Sequence, residues 1–123
     1  MAVVVDASAL AAMLFDEPEA DEVRATLRGQ ALHAPALVHF ELAHVAWKKL
    51  RRTPSRAAAI LDALNVVPRL PLRSSTPDMV QVVALAAATG LTPYDASYLW
   101  LSKTLGLPLV TLDRALARAA ESL

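Results

Sequence analysis

The stretch Val3-Val4-Val5-Asp6-Ala7-Ser8 decides the fold class, because a short β-branched run ends there in a carboxylate. Such a run predicts a buried strand, and the Ala- and Leu-rich residues 7–14 that follow it predict a helix. Leu107–Leu112 predicts a second buried strand, which also ends at an acid, Asp113, before a final helix to Ser122. Strands that alternate with helices in this way predict an α/β fold with a parallel sheet.

Turn and capping signals divide the residues between these two ends into further helices and two weaker strands. The strands are expected over Leu32–Ala34 and Val66–Leu70. Pro at the first helical position, or Ser, Thr or Asp before it, marks each helix start. These starts lie at Pro18, Pro35 (a long helix to Arg52), Thr53-Pro54, Ser75–Asp78 and Thr92–Asp95. A chain of 123 residues is expected to form a single domain over residues 1–123.

The charges cancel in total but are segregated along the chain. Twelve Lys and Arg balance twelve Asp and Glu, which at first disfavours a nucleic-acid binder. The first 22 residues, however, hold six acids and no Lys or Arg, whereas residues 48–56 hold five bases. The absence of cysteine excludes disulfides and thiolate metal sites. Apolar runs of about seven residues are too short for a membrane span, so we expect a cytoplasmic protein without membrane contact.

Four acids stand out from the ordinary solvated ones. Asp6 and Asp113 follow predicted parallel strands, Glu41 lies in the middle of a largely apolar helix, and Asp95 lies in a first helical turn. Each has an ordinary explanation as well: an N-cap, a solvent-facing side chain, or a capping box begun by Thr92. Together they are expected to converge on one sheet edge, where their repulsion would favour bound cations. Oxygen ligands alone favour Mg²⁺ or Mn²⁺ over zinc.

A divalent ion held by carboxylates is suited to hydrolysing phosphodiesters with a metal-activated water, without a nucleophilic side chain. Ser8 and Thr111, each two residues from a site Asp, are expected to orient a carboxylate or water, or to have ordinary hydroxyl roles. Glu41, His44, Lys48 and Arg52 share one helix face, so Lys48 and Arg52 are candidate contacts to RNA phosphates. The alternative is a solvated basic helix end.

The histidines and aromatic residues carry less information. His33, His39 and His44 do not have zinc-motif spacing. The two tryptophans and two tyrosines are expected to be core or dimer contacts rather than a base-stacking platform, although Tyr98 could also line the site. These residues are Trp47, Tyr94, Tyr98 and Trp100.

Four segments, taken in order, give the chain a family resemblance: Val-Val-Val-Asp6-Ala-Ser8, Phe-Glu41-Leu, Leu-Thr-Pro-Tyr-Asp95-Ala-Ser and Leu-Val-Thr111-Leu-Asp113. They resemble PIN domains, and more narrowly the VapC toxins of VapBC toxin–antitoxin modules. The resemblance implies a three-layer α/β/α fold with a central parallel sheet of four or five strands. Many members carry a further strand after the last helix, and the sequence ends at Glu121-Ser122-Leu123, so this edge strand is in doubt.

The same resemblance implies a Mg²⁺- or Mn²⁺-dependent endoribonuclease, the toxin of a type II toxin–antitoxin system. Its metal-binding and catalytic acids would be Asp6, Glu41, Asp95 and Asp113, with Ser8 and Thr111 supporting them. It further implies a homodimer, a VapB-type antitoxin partner and structured RNA targets such as tRNA or a ribosomal RNA loop.

Two other classes remain as alternatives. One is a non-catalytic or housekeeping RNA-binding module on the PIN fold. The other is a phosphatase or phosphoaspartate receiver, for which Asp6 would be the acceptor. The phosphatase type normally has a second Asp two residues on, where this chain has Ser8. No Gly-rich turn follows a predicted strand, which disfavours a P-loop or dinucleotide site.

Overall fold

The computed structural model describes residues 1–122 as four strands and seven α-helices. Two short 3₁₀ helices, Pro54–Arg56 and Val67–Arg69, lie on either side of the fourth helix. In chain order the elements are β1 (Ala2–Val5), α1 (Ala7–Leu14), α2 (Ala20–Leu27), β2 (Ala31–Pro35), α3 (Val38–Arg52), α4 (Ala57–Leu64), β3 (Leu72–Ser75), α5 (Met79–Thr89), α6 (Pro93–Leu105), β4 (Leu109–Val110) and α7 (Arg114–Ser122).

The four strands form one parallel sheet in the order β3-β2-β1-β4. The chain moves outward from β1 to β2 to β3 and then crosses back to the far side of β1. Because parallel crossovers are right-handed, this reversal places the later helices on the opposite face of the sheet. Helices α1 to α4 contact one another, and α5 to α7 contact one another, which gives three α/β/α layers.

Strand β1 is the centre of the core. Val4 and Val5 are completely buried, because helices cover both faces of the sheet and a continuous apolar run is stable there. Leu10 of α1, Leu42 of α3 and Leu99 of α6 pack into the same core. The carboxyl end of β1 is thereby held rigidly next to β4, at the point where the strand order reverses. Parallel α/β sheets form their binding sites at such switch points.

The predicted strand over Val66–Leu70 is wrong. Val67–Arg69 forms a 3₁₀ helix that contains Pro68, and the strand is Leu72–Ser75 instead. This β3 is an edge strand whose last three residues, Arg73 to Ser75, are exposed, so it needs no apolar alternation.

Two boundaries near the carboxyl edge of the sheet also differ from the sequence prediction, besides α2, which begins at Ala20, and α4, which begins at Ala57 after the 3₁₀ helix. Helix α3 begins at Val38 rather than Pro35, because Pro35 still pairs within β2, so Glu41 lies in the first turn and not the middle. Strand β4 has only two residues, Leu109–Val110, within the longer predicted run. Among residues 1–122 the sheet has four strands, and no helix there has the length and apolar character needed to span a membrane.

Candidate functional site

Asp6 lies at the carboxyl end of β1 and is 5% exposed. Its Oδ1 accepts the backbone N–H of Ala9 at 3.1 Å. Asp6 therefore caps α1, which is the ordinary role expected of it besides metal binding. Burial raises the pKa of Asp6, and the hydrogen bonds it accepts and the negative charge of Asp113 act as smaller influences. A buried carboxyl with a raised pKa is costly to ionise unless a cation is nearby.

Two hydroxyls hold the Asp6 carboxylate in place. Ser8 Oγ donates to Oδ1 at 2.7 Å, and Thr111 Oγ1 donates to Oδ2 at 2.5 Å. Because Val5 pairs with Val110, the next residues Asp6 and Thr111 are neighbours across the two strands. Each hydroxyl also accepts a backbone N–H of the β4–α7 connection: Ser8 from Leu112 and Thr111 from Asp113, both at 3.0 Å. The structure therefore shows Ser8 and Thr111 as a bridge between the two strand ends.

Asp113 begins α7 and is partly buried. Its Oδ1 accepts the N–H of Leu116 at 3.0 Å, the N-cap role expected from its position. One carboxylate oxygen is thus used for capping, while the side chain also lines the cavity that Asp6 faces.

Glu41 reaches the same cavity from the first turn of α3. Tyr98 of α6 donates its phenolic hydrogen to Glu41 Oε1 at 2.5 Å, across 57 positions of sequence. Burial raises the pKa of Glu41 most, the Tyr98 hydrogen bond lowers it, and the charges of Asp95 and Asp6 raise it. The Tyr98 side chain is 1% exposed, so the expected core role is confirmed, and its hydroxyl additionally orients a site carboxylate. In the sequence, this role was indicated by the position of Tyr98 one turn after Asp95, on the same helix face.

Asp95 faces these carboxylates from the first turn of α6. Thr92 caps the helix by accepting the Asp95 N–H at 3.2 Å, which confirms the cap part of the expected capping box. Burial raises the pKa of Asp95, and the charges of Asp113 and then Asp6 raise it further. Asp95 therefore lies within electrostatic reach of acids that are far apart in sequence.

All four acids and Ser8 line one open cavity of about 900 Å³ at the carboxyl edge of the sheet. Its other walls come mainly from α3 and α6. The remaining lining residues are Ala7, Leu37, Phe40, His44, Val45, Tyr94 and Tyr98.

The donor set fits a hydrated magnesium-type ion. All donors are oxygens, and three of the four carboxyls have pKa values that burial and mutual repulsion raise, which a cation would relieve. Within residues 1–122, no three His, Asp or Glu side chains converge closely enough to ligate one ion by themselves. Mg²⁺ usually keeps several waters and binds directly to only one or two carboxylates, so this spacing suits it.

The basic candidates lie outside the acidic cavity. Lys48 and Arg52 are exposed on α3, and Arg52 lines a separate cavity of about 240 Å³ with Lys49 and Arg56. Lys49 pairs with Glu17 at 3.0 Å. The assignment of Lys48 and Arg52 to RNA binding stays a prediction.

The aromatic residues divide into two groups. Trp100 is partly buried, packs against the core and donates its Nε1 hydrogen to Gln81 Oε1 at 2.6 Å, as expected of a core residue. Trp47 and Tyr94, in contrast, are 49% and 66% exposed, so a core role within this chain is wrong for both.

Comparisons with known proteins agree with the fold. The sequence profile of the PIN domain family matches residues 3–122. The chain is 38% identical to Ribonuclease VapC3 of Pyrobaculum aerophilum, over 95% of this chain and 93% of that protein. It is 34% identical to Exonuclease VapC9 of the same organism, over 92% of this chain and 81% of that protein.

A solved structure has the same architecture. The crystal structure of PAE2754 from Pyrobaculum aerophilum superposes with a TM-score of 0.78 at 29% sequence identity, and the alignment covers 99% of this chain and 91% of that one. The three-layer fold is therefore shared over essentially the whole described chain.

Proposed function

This chain belongs to the PIN domain family, and on that premise we propose that it is a metal-dependent endoribonuclease, the toxin of a type II toxin–antitoxin pair. The observation that carries the proposal is the convergence of Asp6, Glu41, Asp95 and Asp113 on one cavity at the switch point of the sheet. These acids come from four separate elements or element ends. Nothing in the local structure of each element requires its acid to face the other three. Their shared cavity supports a function for all four.

We assign Mg²⁺ or Mn²⁺ to this cavity, held by the four carboxylates directly or through water. When bound, such an ion stabilises negative charge on a phosphodiester and lowers the pKa of a water. The protein's own contribution is position. Ser8 and Thr111 fix the two oxygens of Asp6, and Tyr98 fixes one oxygen of Glu41. Hydrolysis adds water across one P–O bond, and we propose that it leaves a 5′-phosphate and a 3′-hydroxyl.

Cleavage by purified, antitoxin-free protein tests the proposal. Structured RNAs such as tRNA and ribosomal RNA should be cut with Mg²⁺ or Mn²⁺ and left intact with EDTA. The Asp6→Asn variant should abolish cleavage and growth arrest, while Asp62→Asn, an exposed acid on α4, should change neither. Absence of divalent-metal binding together with growth arrest that survives Asp6→Asn would refute the proposal. RNA binding without metal and without cleavage would favour the non-catalytic module instead.

A separate substrate distinguishes endonuclease from exonuclease activity, because one relative is named an exonuclease. A circular RNA has no end, so only an endonuclease opens it. We expect opening of the circle with Mn²⁺, and a circle that stays closed while the linear form is degraded would reassign the chain as an exonuclease.

We also propose an antitoxin of the VapB type as the inhibitory partner. The cavity that holds the four carboxylates is open, so a partner segment that covers or enters it would exclude RNA. Co-expression with the product of the neighbouring reading frame should yield a complex that cuts no RNA. A complex that forms but cleaves at the free protein's rate would contradict this mode of inhibition.

Finally, we propose a homodimer that associates through an exposed apolar patch. The patch consists of Met79, Val80 and Val83 on α5 with Tyr94 at the start of α6, and Met79 and Tyr94 line one apolar cavity. Exposed apolar clusters of this kind mark association surfaces. Val80→Asp should give a monomer by light scattering, whereas Leu61→Asp on α4 should not. A wild-type monomer, or a Val80→Asp dimer, would exclude this interface.

A further inference from the structure

A row of four side chains on α3 starts at the wall of the acidic cavity and extends away from its four carboxylates. The row, which we call the aromatic strip, consists of Phe40, His44, Trp47 and Arg51. Spacings of four, three and four residues place them one above another on a single helix face. All four are exposed, Phe40 by 79% and Trp47 by 49%, so no other element of residues 1–122 covers this face.

Trp47 is held by its two neighbours in the strip. The His44 and Trp47 ring centroids are 5.4 Å apart with a tilt of 32°, and the guanidinium carbon of Arg51 lies 4.8 Å from the Trp47 ring centroid. The second contact is a cation–π pair, which restrains the indole without burying it. An aromatic ring that is pre-ordered and half exposed loses little entropy when a planar ligand stacks on it.

The strip is directly connected to the acidic cavity. Phe40 and His44 line that cavity, and Phe40 precedes the site acid Glu41. At 1.5 Å of rise per residue, Trp47 lies about 10 Å along α3 from Phe40. Stacked nucleotides of one strand are spaced by about 3.4 Å, so the strip spans about three nucleotides beside the cavity.

The charge around the strip favours a nucleic acid as the occupant. Lys48 follows Trp47, Arg51 ends the strip, and no acid occurs between Glu41 and Asp62. Arg and aromatic side chains on one surface are the combination that binds single-stranded RNA, since bases stack on the rings while cations contact phosphates. An apolar protein partner would instead leave Arg51 and Lys48 without counter-charges. The apolar patch on α5 is the surface without such charges.

We infer that the aromatic strip is a base-stacking site of this chain: Trp47, restrained by His44 and Arg51, stacks on an unpaired base of the RNA beside the phosphate that is cut. This inference rests on the proposed ribonuclease function and names residues of α3 that would hold its substrate. A continuous duplex keeps its bases stacked inside the helix, and Trp47 would have no base to contact.

Fluorescence of Trp47 tests the contact directly, because the chain has only two tryptophans. In a Trp100→Phe variant, Trp47 is the only tryptophan, so selective excitation of tryptophan reports on it alone, and a 12-nucleotide single-stranded RNA in EDTA should quench its emission. The matched Trp47→Phe variant retains Trp100, and its emission should not change. A perfect duplex of the same sequence should quench neither variant. Binding of the single strand without quenching of Trp47 would overturn the inference.

Kinetics then separate the strip from the metal site. Trp47→Ala should raise KM for a single-stranded substrate about 10-fold, the usual effect of losing one stacked base. Its Mg²⁺-induced rise in Tm should equal that of wild type, and Leu61→Ala, an exposed apolar control on α4, should keep the wild-type KM. An unchanged KM in Trp47→Ala, or loss of dimer or antitoxin binding with cleavage intact, would overturn the strip while leaving the ribonuclease in place. A wild-type protein that neither binds nor cuts RNA would contradict both the base-stacking role of the strip and the ribonuclease function.

Discussion

Removal of one hydroxyl, in Tyr98→Phe, tests whether α3 and α6 are coupled through the site. Tyr98 is nearly completely buried, and its hydroxyl donates to Glu41 Oε1 at 2.5 Å. The substitution keeps the ring that packs in the core and removes only the donor. Glu41 is then left as a partly buried carboxylate without that donor.

The expected cost follows from the kind of bond lost. Hydrogen bonds to charged groups contribute about 1.5–3 kcal/mol, and the lower end applies because the open cavity lets water reach Glu41. We therefore expect a loss of about 1.5 kcal/mol in the free energy of unfolding. For a domain of this size that corresponds to a fall in Tm of about 5–9 °C.

A double-mutant cycle isolates the bond from the general cost of each substitution. Denaturant unfolding of wild type, Tyr98→Phe, Glu41→Ala and the double variant should give a coupling energy of about 1 kcal/mol. Tyr94→Phe is the matched control, since Tyr94 lies on the same helix and is largely exposed, and it should change stability by less than about 0.5 kcal/mol.

The pH dependence of the stability difference between wild type and Tyr98→Phe tests whether the bond stabilises the ionised Glu41. The Tyr98 bond lowers the pKa of Glu41 because it favours the carboxylate, although burial keeps the pKa above its ordinary value overall. The difference between wild type and Tyr98→Phe should therefore be full above the folded-state pKa of Glu41 and shrink as the pH falls through it. A coupling energy near zero, or a difference that does not change with pH, would show that this bond does not stabilise the ionised Glu41.

Four further outcomes are expected, three at the site and one at the end of α5. In EDTA, stability should fall as the pH rises from the ordinary carboxyl values of 3.8 and 4.5 to the raised folded-state pKa values, because the folded site binds more protons there. Mg²⁺ displaces these protons, so its stabilising effect on Tm should grow with pH, and a constant Mg²⁺ shift would contradict binding by these acids. Ser8→Ala removes the hydroxyl between Asp6 and Leu112, and activity should fall about 10- to 100-fold while Ser55→Ala retains it. Gly90→Ala should cost about 1 kcal/mol in denaturant unfolding, because Gly90 ends α5 at a φ of +78° with open space around it, and a neutral result would show that α5 ends differently.

The parts of the fold predictable from sequence are those in which the local pattern and the tertiary environment agree. β1 is a continuous Val run because it is buried on both faces, and Asp78 and Thr92 cap helices in the way their side chains favour. β3 was not predictable, since an exposed edge strand of Leu-Arg-Ser-Ser carries neither alternation nor β-branched residues. Its pairing with β2 supplies the stabilisation that its own sequence lacks.

The site likewise contains residues that the local sequence predicts and contacts that depend on how helices pack. Asp6 and Asp113 were predictable because a strand end has a fixed place in a parallel sheet. The Tyr98–Glu41 bond was not, because it depends on how α3 and α6 pack, and neither residue's neighbours in sequence specify that packing. Exposure of Trp47 was likewise invisible in the sequence, where an aromatic residue at helical spacing from apolar ones resembles a core position.

The segregation of charge explains how a chain of zero net charge is suited to bind RNA. Three of the N-terminal acids outside the site have local partners: Arg24 pairs with Asp16 and Asp21, and Lys49 pairs with Glu17. The exposed bases at the end of α3 and the following turn, in contrast, form no ion pair within 4 Å among the residues the structure describes. They are Lys48, Arg51, Arg52 and Arg56. Positive charge is therefore available beside the strip, while part of the negative charge that balances it is paired or lies in a cavity where a cation would neutralise it. Binding should weaken steeply with salt, since phosphates would displace counterions from these bases, and it should do so although the protein as a whole is neutral.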